Sequence, residues 1–185
     1  FTQVRLSGRL DASGSLGFSG AANIDSNDPR ALVAWLSGSE PGATQFRPWR
    51  ISGDVTLDQA GIAIERLRTA FERGTVEGRL NYRWARAEQP ATLDADLKAG
   101  EIDVDAVLAF AKNAFSESGF DAPREVRLAL EAEQVRIAGF DARTVRARGS
   151  LDGAGIAVDH LSVADFGDAA FEARGRIETG AKRGG

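Results

Sequence analysis

The chain offers few side chains that could act as an acid, a base, a nucleophile or a metal ligand. It has one histidine, His160, and no cysteine, which excludes disulfides, thiolate metal sites and cysteine nucleophiles. His160 follows Asp159 on the polar side of an alternating run, so we expect a solvated surface residue, with a ligand or base role as the alternative. The sequence contains no zinc-protease, Walker or nucleophile-elbow motif. We therefore predict no catalytic residue, and a chain that is not an enzyme.

Alternating carboxylates in two segments could bind calcium, which takes roughly six to eight oxygen ligands. Asp94 and Asp96 share one strand face, and so do Glu101, Asp103 and Asp105. The alternative, which we favour, is that these residues form the outward faces of half-buried strands and that Asp105 caps a helix. The sequence therefore predicts no metal site.

Three further features could suggest a ligand but are better explained by structure. The run Asp25-Ser26-Asn27-Asp28 lacks the later glycine and glutamate of a calcium loop and predicts a helix-entry turn. Residues 14–20 (GSLGFSG) superficially suggest a phosphate loop, but without its spacing or following helix they predict a hairpin turn with bulges. We expect Trp35, Trp49 and Trp84 in the core or at sheet edges. No cofactor is predicted.

Charge and composition exclude further classes. The net charge of −4 argues against a nucleic-acid partner, because phosphate binding needs a basic face. No stretch approaches the ~20 apolar residues of a membrane-spanning helix, and no signal peptide is visible. The chain has no methionine and begins inside an alternating pattern, so we expect it to be a segment of a longer protein whose membrane anchor lies elsewhere.

Most of the chain alternates between apolar and polar residues with a period of two. Such alternation is typical of strands with one face against apolar material and the other in water, and turn signals about every 10 residues favour an antiparallel meander. We predict an α+β fold, mainly a curved antiparallel sheet, with two short amphipathic helices packed on it. The apolar runs begin at Val4, Leu16, Ile51, Ile62, Val76, Leu93, Val126, Val135, Val145, Ile156 and Phe171.

Two segments break this alternation and predict the helices. The first opens at Asp28-Pro29, an N-cap followed by a proline suited to the first turn, and ends before Gly38. The second opens at Asp105, carries apolar residues at helical spacing, and ends before Gly119. Residues 38–46 are the best loop candidate, and residues 180–185 read as a frayed tail.

An internal repeat is visible. Residues 57–67 match residues 151–161 without a gap, and each block is followed by an aromatic residue, Phe71 or Phe166. Each then ends in a matching strand, residues 78–80 or 175–177. We predict a single segment over residues 1–185, built from about two helix-plus-four-strand units at roughly 1–100 and 101–180, whose stacked strands share one apolar face.

These blocks resemble the periplasmic region of the AsmA family of bacterial envelope proteins. The resemblance is carried by residues 148–156 (RGSLDGAGI), 171–177 (FEARGRI) and 100–105 (GEIDVD). It implies a protein anchored in the inner membrane by an N-terminal helix and projecting into the periplasm. It also implies a role in outer-membrane biogenesis and phospholipid transport along an apolar groove. The resemblance transfers neither a catalytic nor a groove residue to this chain.

Two functions from different classes follow from the repeated apolar strands. In the first, part of their surface binds phospholipid or another envelope lipid. In the second, the helices seal that surface, and the chain is a structural module that stacks on neighbouring repeats or on an outer-membrane assembly partner. Because the edge strands of such a segment can pair with another copy, we also predict self-association.

Overall fold

A computed structural model describes residues 2–12, 16–27, 49–71, 74–109, 112 and 121–178. They form one ten-stranded sheet, in which every strand is hydrogen-bonded to its neighbours in sequence. Residues 104–109 and 112 are helical and are called α1. The strands are β1 (Thr2–Asp11), β2 (Gly17–Ser26), β3 (Trp49–Leu57), β4 (Gly61–Phe71), β5 (Gly74–Arg83), β6 (Thr92–Asp103), β7 (Glu125–Ile137), β8 (Phe140–Asp152), β9 (Gly155–Phe166) and β10 (Ala169–Glu178).

The predicted sheet of mainly antiparallel strands is confirmed. One pair, β6–β7, is parallel, which the sequence did not predict. Two parallel strands that are consecutive in the chain must be joined by a crossover connection. The connection that contains α1 is this crossover: it leaves the C-terminal end of β6 and brings the chain back beside the N-terminal end of β6, where β7 begins. The predicted helix that opens at Asp28-Pro29 and ends before Gly38, the loop at 38–46 and the tail at 180–185 lie outside the described residues.

One face of the sheet carries four rows of apolar or small side chains, each of which crosses all ten strands. Residues paired across neighbouring strands point to the same face, so the register defines these rows. The first row is Val4, Ile24, Ile51, Thr69, Val76, Ala99, Ala132, Val145, Val163 and Phe171. The other three begin at Leu6, Gly8 and Leu10 and end at Ala173, Gly175 and Ile177. We call this surface the apolar face.

A bulge in β4 keeps two of these rows in line. Glu65 and Arg66 together lie opposite Arg79 of β5, and Arg66 has a φ of 49°. An extra residue of this kind reverses the side-chain alternation beyond it. It therefore directs Leu67 and Thr69 to the apolar face, where both are buried.

Burial is concentrated in the middle of the apolar face. Val76, Ala99, Ala132, Val145 and Val163 are buried and belong to one cluster, together with Val135 and Ala142 from the ends of β7 and β8. Half-buried Val104, at the start of α1, packs against this cluster. The rows become exposed toward β1 and β10, because an outermost strand has a neighbour on one side only.

The internal repeat is reproduced in the turns but not in the order of elements. Asp58 accepts hydrogen bonds from the amides of Ala60 and Gly61, and Asp152 accepts the equivalent pair from Ala154 and Gly155. The β3–β4 hairpin, however, directly follows the connection from β2, whereas β7 separates the β8–β9 hairpin from α1. The shared residues thus specify the same turn at two different positions in the sheet.

The terminal strands of the repeat are also offset. Gly78 pairs with Leu67, whereas Gly175 pairs with Val158, the residue that corresponds to Ile64 in the first block. The similarity of residues 78–80 and 175–177 therefore does not reflect equivalent places in the sheet. Each hairpin sets its register from its own turn.

Two local predictions were wrong. Asp103, not Asp105, caps α1: its Oδ1 accepts a hydrogen bond from the amide of Ala106 at 2.9 Å. Asp105 instead accepts one from the amide of Ala138 at 2.7 Å, which ties α1 to the turn between β7 and β8. The β1–β2 hairpin shows none of the expected bulges among its described pairs, which run unbroken from Thr2 to Asp11.

Candidate functional site

The apolar face is the largest feature of the described chain that could bind a partner. Neighbouring strands lie about 4.8 Å apart, so the face extends roughly 43 Å from β1 to β10. The four rows follow one another at intervals of two residues, so together they cover about 20 Å along the strand direction. Only its outer parts are open, because side chains in its middle, such as Val145 and Val163, are buried.

Exposed apolar side chains form two edge strips and one inner patch on this face. At β1, Leu6 and Leu10 are 62% and 65% exposed, and at β10 Ile177 is 65% exposed. The inner patch consists of Leu128, Leu151 and Ile156, which are about 40% exposed. Leu151 pairs with Ile156 across β8 and β9, so the patch is continuous.

An aromatic cluster continues the apolar face toward the turn between β9 and β10. The ring centroids of Phe140 and Phe166 lie 5.8 Å apart, and those of Phe166 and Phe171 lie 6.2 Å apart. All three rings are exposed, as is Ile137 beside them. A bulge in β9, where two residues oppose one of β10, turns Phe166 to the same face as Phe171.

The opposite face is charged. Its side chains form ion pairs between neighbouring strands. Both members of most pairs are largely exposed to solvent, so each pair stabilises the fold only slightly. The pairs are Arg50–Asp25, Arg66–Asp54, Arg68–Glu77, Arg79–Asp96, Lys98–Glu131, Arg127–Asp94, Arg136–Asp141 and Arg143–Asp165. We call it the charged face.

Two open depressions are bordered by side chains of the charged face. One, of about 670 Å³, includes Asp54, Arg66 and Glu77. The other, of about 510 Å³, includes Asp94 and Arg127. Both signs of charge border each depression, and Asp54 pairs with Arg66 in the first and Asp94 with Arg127 in the second. Neither depression therefore presents the single-sign cluster that an anion or a metal ion would require.

The acidic residues considered as calcium ligands are dispersed by the structure. Asp94 lies 3.8 Å from Arg127, and Asp96 lies 3.5 Å from Arg79. Asp103 caps α1. In the part of the chain that the structure describes, no three His, Cys, Asp or Glu side chains are grouped as a metal site would require.

His160 lies opposite Arg148 in the β8–β9 pair and is half-buried. The sequence placed it in an alternating strand between Asp159 and Leu161, and that strand is β9. Its cross-strand neighbour on β8 is therefore an arginine and not an acid or a nucleophile.

A group of hydrogen bonds formed by aromatic side chains lies where β5 ends. Burial raises the pKa of the Tyr82 hydroxyl, and the nearby Asp121 carboxylate raises it further. That hydroxyl donates a 2.6 Å hydrogen bond to the Asp121 carbonyl. Trp84 packs edge-on against Tyr82 and donates from Nε1 to the Asp58 carbonyl. These contacts join the first repeat's turn to the start of β7, so their role is structural.

The sequence missed the extent of the apolar face. Each alternating run is visible in isolation, and each lies in a strand, but the alignment of the runs into rows depends on register. The available signal was that most runs place their apolar residues at alternate positions, with a change of parity before Leu67 and before Leu161 where a bulge lies. Across the described residues, no helix has the length and hydrophobicity needed to cross a membrane.

Comparison with models of known protein families, with curated proteins and with solved structures finds no match to this chain.

Proposed function

We propose that the chain binds lipid acyl chains on its apolar face, as a periplasmic segment of an AsmA-like envelope protein. In this proposal the full protein is anchored in the inner membrane and carries phospholipid between the inner and outer membranes. The observation that supports binding is the apolar face itself: four rows continue across ten strands, and their outer parts are in contact with water. Binding rather than catalysis is proposed, because many of the described acidic side chains take part in ion pairs, a turn or a helix cap.

The dimensions of the apolar face suit an acyl chain. Each leaflet of a bilayer contributes about 15 Å to the hydrocarbon thickness, and the four rows extend about 20 Å along the strands. An acyl chain can therefore lie along a strand with its full length against apolar side chains. The charged face remains in water, so the headgroup would project past a strand end. The curved repeat sheet with a second helix at residues 29–36 belongs to the same proposal.

Photo-crosslinking at two adjacent positions tests this function. Leu151 lies on the apolar face and is partly exposed, whereas Ser150 precedes it in β8 and points to the charged face. A photoreactive phenylalanine at 151 is expected to form a phospholipid adduct in cells, detected by mass spectrometry of the purified protein. The matched position 150 should form none. Equal labelling at the two positions, or none at either, would count against lipid binding.

A structural module is the second candidate, and the burial of the central rows favours it. Val145 and Val163 are only 6% and 4% exposed, so the middle of the apolar face already has protein contacts. If the whole face serves packing, position 151 should crosslink to protein and not to phospholipid. The same experiment therefore separates the two functions.

A further inference from the structure

Exposed apolar side chains converge at one end of the sheet. At this end α1 leaves β6, β7 turns into β8, and β9 turns into β10. The exposed large apolar residues of these elements are Val107 and Leu108 of α1, Ile137 and Phe140 beside the first turn, and Phe166 beside the second. We call these five residues the sheet tip. None of them lies on an outermost strand, so their exposure does not depend on where the sheet stops.

Contacts within this end of the sheet hold its three elements together. Asp105 of α1 accepts a hydrogen bond from the amide of Ala138 in the first turn. The rings of Phe140 and Phe166 join the two turns, with centroids 5.8 Å apart. The sheet tip is therefore one surface and not a set of unrelated exposed side chains.

The sheet tip continues the buried core outward. Ile137 pairs with Phe140, and the nearest pair on the same face, Val135 with Ala142, is buried in the core cluster. Two residues of a strand span about 7 Å, so the tip projects about that far beyond the core. Apolar groups that bind at a membrane interface reach about 5–10 Å into the boundary between headgroups and acyl chains. The projection of the tip is thus long enough for shallow insertion.

The backbone of the two turns is suited to a setting with little water. Both central residues of each turn have positive φ, the tight type I′ geometry; they are Ala138 and Gly139 in the first turn and Gly167 and Asp168 in the second. The Ala138 amide donates to Asp105 at 2.7 Å, and the Asp168 amide donates to Asp165 at 3.3 Å. An amide that has a partner within the chain leaves water at a much lower cost than one without.

We infer that the sheet tip inserts into the surface of a bilayer of zwitterionic phospholipid. The tip is apolar and stands at projecting turns, so it presents a convex surface that a bilayer can surround without directional contacts. The inference goes beyond lipid binding on the apolar face, because it assigns the end of the sheet that contacts a membrane.

Charge selects the kind of bilayer. Among described residues 103–109, 112, 136–143 and 164–168, five acids outnumber three bases. The acids are Asp103, Asp105, Asp141, Asp165 and Asp168, and the bases are Lys112, Arg136 and Arg143. Arg136 and Arg143 already pair with Asp141 and Asp165. The surplus of carboxylates is repelled by anionic lipid and keeps the turns at headgroup level.

Co-flotation of the full chain with phosphatidylcholine vesicles tests the insertion. Leu108→Ser and Phe140→Ser should each weaken binding roughly tenfold or more, because each removes a large exposed apolar side chain. Leu16→Ser is the matched control: Leu16 is 66% exposed at the opposite end of the sheet, and its loss should have no effect. Circular dichroism must show the same strand content in every variant.

Vesicles enriched in phosphatidylglycerol test the charge argument. They should bind the unchanged chain more weakly than phosphatidylcholine vesicles do. Asp168→Asn keeps a residue type that tolerates positive φ and removes one charge, so it should raise binding to the anionic vesicles roughly fivefold. Tighter binding of the unchanged chain to the anionic vesicles than to phosphatidylcholine would overturn the inference.

A fluorophore at the tip reports insertion directly, since the chain has no cysteine of its own. Phe140→Cys protein labelled with an environment-sensitive dye should shift its emission to the blue when phosphatidylcholine vesicles are added, and labelled Leu16→Cys protein should not. Equal shifts at the two positions would overturn the inference. So would a chain that fails to float while position 151 still crosslinks to phospholipid, a result that leaves the proposed lipid binding intact.

Discussion

Truncating one buried valine of the first apolar row should cost far more stability than truncating its exposed counterpart in the same row. Val145 is 6% exposed and Val4 is 43% exposed. Val145→Ala removes two methyl groups, worth about 0.8 kcal/mol each by transfer, and leaves a cavity between Ala132 and Val163. We expect a loss of about 2–3 kcal/mol in the free energy of unfolding. Val4→Ala should cost less than about 1 kcal/mol, because roughly half of its surface is already hydrated.

Urea unfolding followed by circular dichroism measures both changes. With a slope of about 2 kcal/mol per molar urea, Val145→Ala should lower the midpoint by about 1 M and Val4→Ala by a fraction of that. The slope should stay unchanged, since neither substitution alters the surface exposed on unfolding. Protein concentrations should be kept below those at which copies associate, so that the Val4 value reports the fold alone.

Equal midpoint shifts for the two variants would refute the reasoning. They would mean that the centre of the first row is no better shielded than its edge, and that the rows do not form one core. A double variant with Val163→Ala adds a second check. Val145 and Val163 are direct partners, so their losses should not be additive.

Two further predictions follow from single residues. Gly78→Ala should destabilise the fold by about 1 kcal/mol or more, because φ at Gly78 is +149° and an added Cβ would overlap the Asp96 carbonyl oxygen. Gly175→Ala is the matched control and should be tolerated, because an added Cβ there meets open space. Thermal unfolding of the two variants measures the difference. A hydrogen bond from Arg136 lowers the pKa of Asp141 from its ordinary 3.8. The pair therefore stabilises the folded state above pH 3.8, and this stabilisation is lost as the pH falls through the lower pKa that Asp141 has in the folded chain. Arg136→Gln should move the pKa of the Asp141 carboxyl, measured by NMR titration, back toward 3.8.

Much of the local structure could be predicted because its causes are local. Leu93, Ala95 and Leu97 alternate with charged residues, and this period alone indicated a strand. The Leu57-Asp58 block and its copy at Leu151-Asp152 were recognised as a repeat from their matching residues, and both form turns with the same backbone hydrogen bonds. The helix start was placed within two residues, but the wrong aspartate was chosen as its cap. Asp103 and Asp105 both suit that role, and only the contact of Asp105 with the β7–β8 turn decided between them.

The candidate site could be predicted only in part. The runs that supply the apolar face were all identified, but no residue could be assigned to an exposed patch. Exposure depends on neighbours distant in sequence: Val145 and Leu151 lie on the same strand and the same face, yet only Val145 is buried. The acidic pairs likewise could be judged only when Asp94 and Asp96 were found beside arginines of other strands.

The sequence by itself determined that this is a strand-rich chain with one apolar and one polar side to each strand. It could do so because side-chain direction in a strand alternates from residue to residue, whatever the strand's neighbours are. The tertiary structure decided which strands adjoin, that β6 and β7 run parallel, and that the bulge at Arg66 returns Leu67 to the apolar face. Those features depend on pairing between segments far apart in the chain, where a shift of one residue would exchange the two faces.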